Sequence, residues 1–240
     1  MNYRSLIKNV FYIVFGLIRY NLKIIFANKF IYFLLAAVMI FLFVTVLNLL
    51  NASSTTTDAT GYWLLLVPGL LLVFYPTTFG IQNDVDNRII EILFGIPNYR
   101  YKIWFIRLIL IFAVTFVIIL VLTNVFSLVL IRVSVLRMVL QLMFPILFMG
   151  SLAFMVSTIV RNGNGTAVVI IITGLVFWIG REQLGNSEWN LFLNPYAIPS
   201  DINEAIWAET TFNNRLYLLI GTVIAVLYGL LNLQKREKFV

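Results

Sequence analysis

The chain lacks cysteine and histidine entirely, and only 11% of its 240 residues are charged. Without cysteine there is no disulfide, no thiolate metal ligand and no thiol nucleophile. Without histidine, the most frequent general base and the usual zinc or haem ligand are gone. The shortage of charge excludes a soluble fold. A soluble domain carries ~25% charged and ~45–50% apolar residues, whereas hydrophobic residues here reach 61%. Other chemistry is missing too. There is no Gly-x-x-x-x-Gly-Lys-Ser/Thr phosphate loop, no His-Glu-x-x-His metal pair and no Gly-x-Ser-x-Gly nucleophile elbow. No catalytic residue and no metal site is expected.

What is present is apolar sequence in long uncharged runs. A helix crosses a hydrocarbon core of ~30 Å with about 20 residues. Residues 30–50, 62–81, 108–131 and 138–160 satisfy this without a single charge, and 216–233 is slightly short. Residues 166–179 form a sixth, shorter stretch that needs its polar flanks or a thinned bilayer. Six spans put both termini on one side. With the termini inside, thirteen lysines and arginines lie on the inner segments. The outer segments hold four: Arg132, Arg137, Arg181 and Arg215. This bias fixes the orientation, with both termini cytoplasmic. It also assigns the net charge of +7 to lipid headgroups rather than to nucleic acid.

No acidic residue lies within these spans, so a carboxylate proton relay or an intramembrane aspartyl pair lacks its parts. The polar groups at depth, among them Asn48, Asn124, Gln141, Ser151 and Ser157, are expected to hydrogen-bond between helices. Gly150, Ala153 and Ser157 form a small-residue edge suited to close helix packing. Pro68, Pro76 and Pro145 are expected to kink their helices. Asn162-Gly163-Asn164-Gly165 reads as a tight inner turn.

Three polar segments organise the chain. Residues 1–29 carry Arg4, Lys8, Arg19 and Lys23 on one side of a helical wheel, which describes a helix lying on the inner leaflet. The apolar patch at 10–18 runs into Arg19 and Lys23 rather than a small-residue cleavage site, so no signal peptide is expected. The outer loop, 180–215, contains Pro195, Pro199 and an Asp201-Ile202-Asn203-Glu204 capping pattern. It reads as short helices that partly re-enter the membrane, with Trp178, Trp189, Tyr196 and Trp207 at the interface. The inner loop, 83–107, is the most distinctive. Ile89, Ile92, Leu93 and Ile96 recur at helical spacing, Arg88 and Glu91 take the other side, and Asp84 and Asp86 sit at the start. Gly95 and Pro97 end this short amphipathic helix. It is suited to lipid or to a groove in a partner.

The run from Asp86 through Glu91, Ile92, Leu93 and Pro97 to Arg100 resembles the coupling loop of the ABC-2 type transporter permeases. In that family an acidic residue precedes Glu-Leu-Leu, and a proline and an arginine follow. Arg107 stands where the family often has lysine. Arg88-Ile89 replaces the usual Gly-Thr, and Asp84 and Asp86 replace glutamates. The layout of the whole chain agrees, including Asn194-Pro195 in the outer loop. The resemblance implies one all-α transmembrane domain over residues 1–240. It would have six spans, an N-terminal interfacial helix, a cytoplasmic coupling helix and an outer re-entrant segment between spans five and six. It further implies an exporter subunit in a bacterial inner membrane, paired with a second permease copy, as a homodimer or with a related permease. A separate ATPase would bind ATP and Mg. That ATPase would dock on Asp86, Arg88, Ile89, Glu91, Ile92, Leu93, Ile96, Pro97 and Arg100. The chain itself would hold no cofactor and would not be an enzyme. The other readings of the same hydropathy are an intramembrane lipid-modifying enzyme, for which Asp84, Asp86 and Glu91 are the nearby carboxylates, and a non-transporting assembly subunit.

Overall fold

A computed structural model describes residues 29–50, 56–86 and 100–233. The described residues are helices joined by turns: α1 (Phe30–Leu50), α2 (Asp58–Asp86), α3 (Ile106–Val129), α4 (Val135–Val160), α5 (Gly163–Ile179), a single turn α6 (Arg181–Leu184) and α7 (Glu204–Asn232). A six-residue π-helix, Arg100–Phe105, leads directly into α3. Five helices (α1, α2, α3 with its π lead-in, α4 and α7) are long and apolar enough to cross a membrane, and α5 is a shorter apolar helix. The chain is therefore an all-α, multi-pass membrane protein. The segment holding Arg4, Lys8, Arg19 and Lys23, and the 88–97 stretch, lie outside the described residues.

Two helices form the spine. Two-thirds (67%) of the apolar window of α2 and 56% of that of α4 are buried, against 22–33% for α1, α3 and α7. α4 packs most extensively on α7 and α2; α1 and α3 pack on α2, and α5 packs on α4 and α2. The exposed sides of α1, α3, α5 and α7 are lined with residues such as Met39, Phe43, Val117, Val121, Val176 and Ile224. In water that surface would be a severe liability. In lipid it costs nothing, because the acyl chains are as apolar as leucine.

Close approach along the spine depends on small residues. Gly150, Ala153 and Ser157 are all buried on α4, as their spacing predicts. A Cβ added at Gly150 would sit 2.7 Å from the Phe112 ring of α3. Gly69 of α2 is similarly closed off by Ile146 and Ile119.

The helix ends differ from the sequence expectation in three places. α2 runs from Asp58 to Asp86 instead of stopping at residue 81, so Asp84 and Asp86 belong to its last turn rather than to the start of a loop helix. The last span begins at Glu204 rather than 216. Its N-cap is Asn203, whose side chain accepts from the Ala205 N–H. Residues 204–215 are thus the first turns of a continuous helix, not separate short ones. In the inner turn, Arg161 takes the left-handed conformation that closes α4 (φ 56°), and Asn162 caps α5. Asparagine or glycine is the usual occupant of that left-handed position.

The polar side chains at depth mostly turn back on their own helices rather than across to neighbours. Thr45 donates to Phe41, Asn48 to Val44, Thr115 to Ile111, Thr123 to Ile119 and Asn124 to Leu120, each one turn back. The preceding-turn carbonyl is always within reach, so no partner helix is required. Gln141 instead bonds across to α7, and the buried Ser151 Oγ has no partner among the described residues.

The Gly150 contact yields a test. Gly150→Ala should lower the stability of the purified protein by about 1–3 kcal/mol, seen as a lower thermal midpoint in detergent, because the Phe112 ring must shift. A Phe112→Leu change in the same chain should recover part of the loss. An unchanged midpoint for Gly150→Ala would show that α3 and α4 are not in close contact there.

Candidate functional site at the base of the polar loop

The loop that the sequence singles out leaves α2 at Asp86 and returns at Arg100. The helices on either side of it are tied together. Arg107, in the first turn of α3, donates from Nη1 to Oδ2 of Asp84 at 2.9 Å, and the two side chains are only 5% and 3% exposed. Among the described residues this is the one ion pair. Its position has a physical reason. A carboxylate in the last turn of a helix faces the negative end of the macrodipole, so Asp84 needs a cation close by. A buried guanidinium in turn needs a counter-charge.

Trp104, from the π-helix, covers the pair. The Arg107 guanidinium carbon lies 4.6 Å from its ring centroid. Trp104 then packs with Ile81 of α2, Leu108 of α3, Phe154 of α4, and Leu230 and Leu233 at the end of α7. This second, smaller core draws four helices together at one end of the bundle. Two polar contacts complete it. Gln82 Oε1 accepts from the backbone N–H of Gly163, the first residue of α5, and Asn232 Nδ2 donates to the Thr158 carbonyl at 2.7 Å. The π-helix places Trp104 here. One wide turn shifts the helical register, and such turns occur mostly as local insertions, often at functional positions.

Of the nine residues expected to dock a partner, Asp86 is described and lies exposed at the end of α2. Arg100 begins the π-helix. Arg88, Ile89, Glu91, Ile92, Leu93, Ile96 and Pro97 lie outside the described residues. Sequence reading noticed Asp84 and Arg107 but not that they pair, and it passed over Trp104. A signal was available: Trp104 and Arg107 are spaced i, i+3 next to a loop whose other end carries a carboxylate.

The opposite end of the bundle holds a second polar cluster that sequence reading placed in a loop. Arg215 sits inside α7 and is buried. Its Nε donates to Gln141 Oε1 at 2.8 Å, its Nη1 to Asn214 Oδ1, and its Nη2 to Tyr62 Oη and to the Leu193 carbonyl. Around it, residues 185–196 are fixed by asparagines. Asn214 Nδ2 donates to the Glu188 and Asn190 carbonyls, Asn194 Nδ2 donates to Ala59 O of α2, and Trp207 Nε1 donates to Pro195 O. Trp207 is thus buried within the protein, while Trp189 is exposed and stacks on Tyr217.

Comparisons with family models, curated proteins and solved structures return no significant match. The fold and the site define a class, a polytopic α-helical membrane protein whose central polar loop is clamped at its base.

The clamp predicts a specific double-mutant pattern. Asp84→Ala should cost about 3–5 kcal/mol of stability, because it strands a buried guanidinium. Arg107→Met in addition should restore much of that loss, measured by thermal unfolding in detergent. Additive losses in the double variant would mean the two groups do not interact.

Proposed function

We propose that this chain is the membrane subunit of an ATP-driven exporter of the ABC-2 permease type, with six spans and both termini cytoplasmic, in a bacterial inner membrane. It would work as a dimer with a second permease copy, and a separate ATPase would bind ATP and Mg. The observation that carries the reading is the Asp84–Arg107 pair beneath the loop. A partner pushing on an unclamped loop would only bend it. With the base closed by a buried ion pair and the Trp104 core, the same push is passed to the end of α2, a central helix, instead of being lost in the loop. The coupling pattern from Asp86 to Arg100 supplies the partner's chemistry. Apolar Ile89, Ile92, Leu93 and Ile96 would seat in a groove of the ATPase, with Glu91 and Arg88 fixing register. The interfacial helix with Arg4, Lys8, Arg19 and Lys23 would give a second contact, and residues 180–203 would close the outer side.

The apolar middle of the spans suits a hydrophobic or lipid-like substrate better than a small ion. Binding and hydrolysis of ATP are assigned to the partner, so the chain is read as a non-enzyme.

Affinity purification of the full chain from its native host in mild detergent should recover an ATPase carrying a phosphate loop in stoichiometric amount. Leu93→Asp or Glu91→Arg should then leave the spans folded but separate ATP hydrolysis from transport. A folded Leu93→Asp, Glu91→Arg double variant with full coupling would overturn the role of the loop. Absence of any ATPase after gentle cross-linking would overturn the transporter reading and favour an assembly role.

A further inference from the structure

We propose that the cavity beside Arg215 is a binding site for the anionic, phosphate-type headgroup of an amphiphile. This stands on geometry at the end of the bundle opposite the loop, and holds whether or not the chain is a transporter subunit. The cavity has a volume of about 570 Å³ and lies between α4, α7 and the 195–198 turn. Three observations point to its occupant.

The first is charge. Arg215 lines the cavity, is 5% exposed, and is held by neutral groups alone: an amide, a phenol, an asparagine and a carbonyl. Among the described residues no carboxylate lies within ion-pair distance of it. A guanidinium has five N–H donors, so the four bonds leave one donor to offer. Buried charges are normally paired, and this one faces a space that could receive the missing anion. Arg137, exposed at the rim, adds a second cation to the lining.

The second is an unused hydroxyl. Thr211 lines the same cavity and is buried, and its Oγ1 has no partner among the described residues. Neighbouring Thr210 and Thr222 bond back to the carbonyl one turn before. A χ1 rotation exchanges the threonine methyl and hydroxyl, which would present Oγ1 to a ligand oxygen. The third is the rest of the wall. Phe144, Ile198, Phe212 and Leu219 give it an apolar side, suited to the alkyl part of an amphiphile rather than to a free inorganic ion.

Two groups bear on the sign of the field. Glu204 is an exposed carboxylate on the lining and opposes an anion. Tyr196 adds no negative charge: burial pushes its phenol above the ordinary range, outweighing the Arg137 guanidinium that pulls it down.

Brominated phosphatidylglycerol, titrated into the full chain in neutral detergent micelles, should quench the emission of Trp207, which lines the cavity. Trp207→Phe identifies that part of the signal. Half-quenching should come at a lower lipid fraction than with brominated phosphatidylcholine. Arg137→Gln should raise that fraction about threefold and Glu204→Gln should lower it, with both effects shrinking as salt is added. Both positions are exposed, so neither change threatens the fold. Inorganic phosphate should not displace the lipid. Equal quenching by the two lipids, or titrations unmoved by both variants, would overturn the anion site. Displacement by inorganic phosphate would overturn the amphiphile and leave a site for a soluble anion.

Discussion

A polar group inside hydrocarbon has no water to fall back on, and each one left unsatisfied costs several kcal/mol. Most of what is distinctive in this bundle follows from that constraint. Threonines and asparagines on single helices close onto the preceding turn. Gln82, Asn194, Asn214 and Asn232 instead reach other elements and act as ties. The charged residues that sit deepest are sheltered in two clusters, one at each end of α2. Asp84 neutralises Arg107 under a tryptophan, and Tyr62 shares in the neutral cage around Arg215. Between the clusters the buried residues are mostly leucine, isoleucine, phenylalanine and glycine, where tight contact does the work that water exclusion does in soluble proteins.

The two ends are unlike in kind. At the loop end the cation has its own carboxylate, and the result is a closed mechanical joint. At the far end the cation has dipoles only, and the result is a basic wall on an open cavity. A guanidinium satisfied by dipoles keeps its charge available to a ligand. One internally paired does not. The same residue type thus serves as a fastening in one place and as a recognition element in the other.

The legible part of the fold was the part governed by hydropathy. α1 was bounded to the residue at Phe30–Leu50 because its run carries no charge and lies between Lys29 and the polar stretch that starts at Asn51. The spacing of Gly150, Ala153 and Ser157 gave the packed edge of α4. Charge misled the reading at the ends. A window that stops at the first ionisable residue ends α2 before Asp84 and starts the last span after Arg215. Yet both helices continue through these residues, since each charge meets its partners only in three dimensions. The Asp84–Arg107 pair spans a loop and the Arg215 cage draws on four segments, so neither is visible to a local pattern. The coupling pattern, in contrast, was visible only as a motif, and most of its residues lie outside those described.

α2 carries Pro68 and Pro76 within its length. Each removes one backbone hydrogen bond, to the carbonyls of Leu64 and Leu72. The helix is therefore pinned by polar contacts at Tyr62 and Asp84 and softened between them. Bending motion will collect in that softened stretch, against Ile119 and Ile146, rather than spread along the rod. A displacement applied at one end would then arrive at the other as a change of angle more than of height. The glycine at position 69, closed in by those two isoleucines, stands at the pivot.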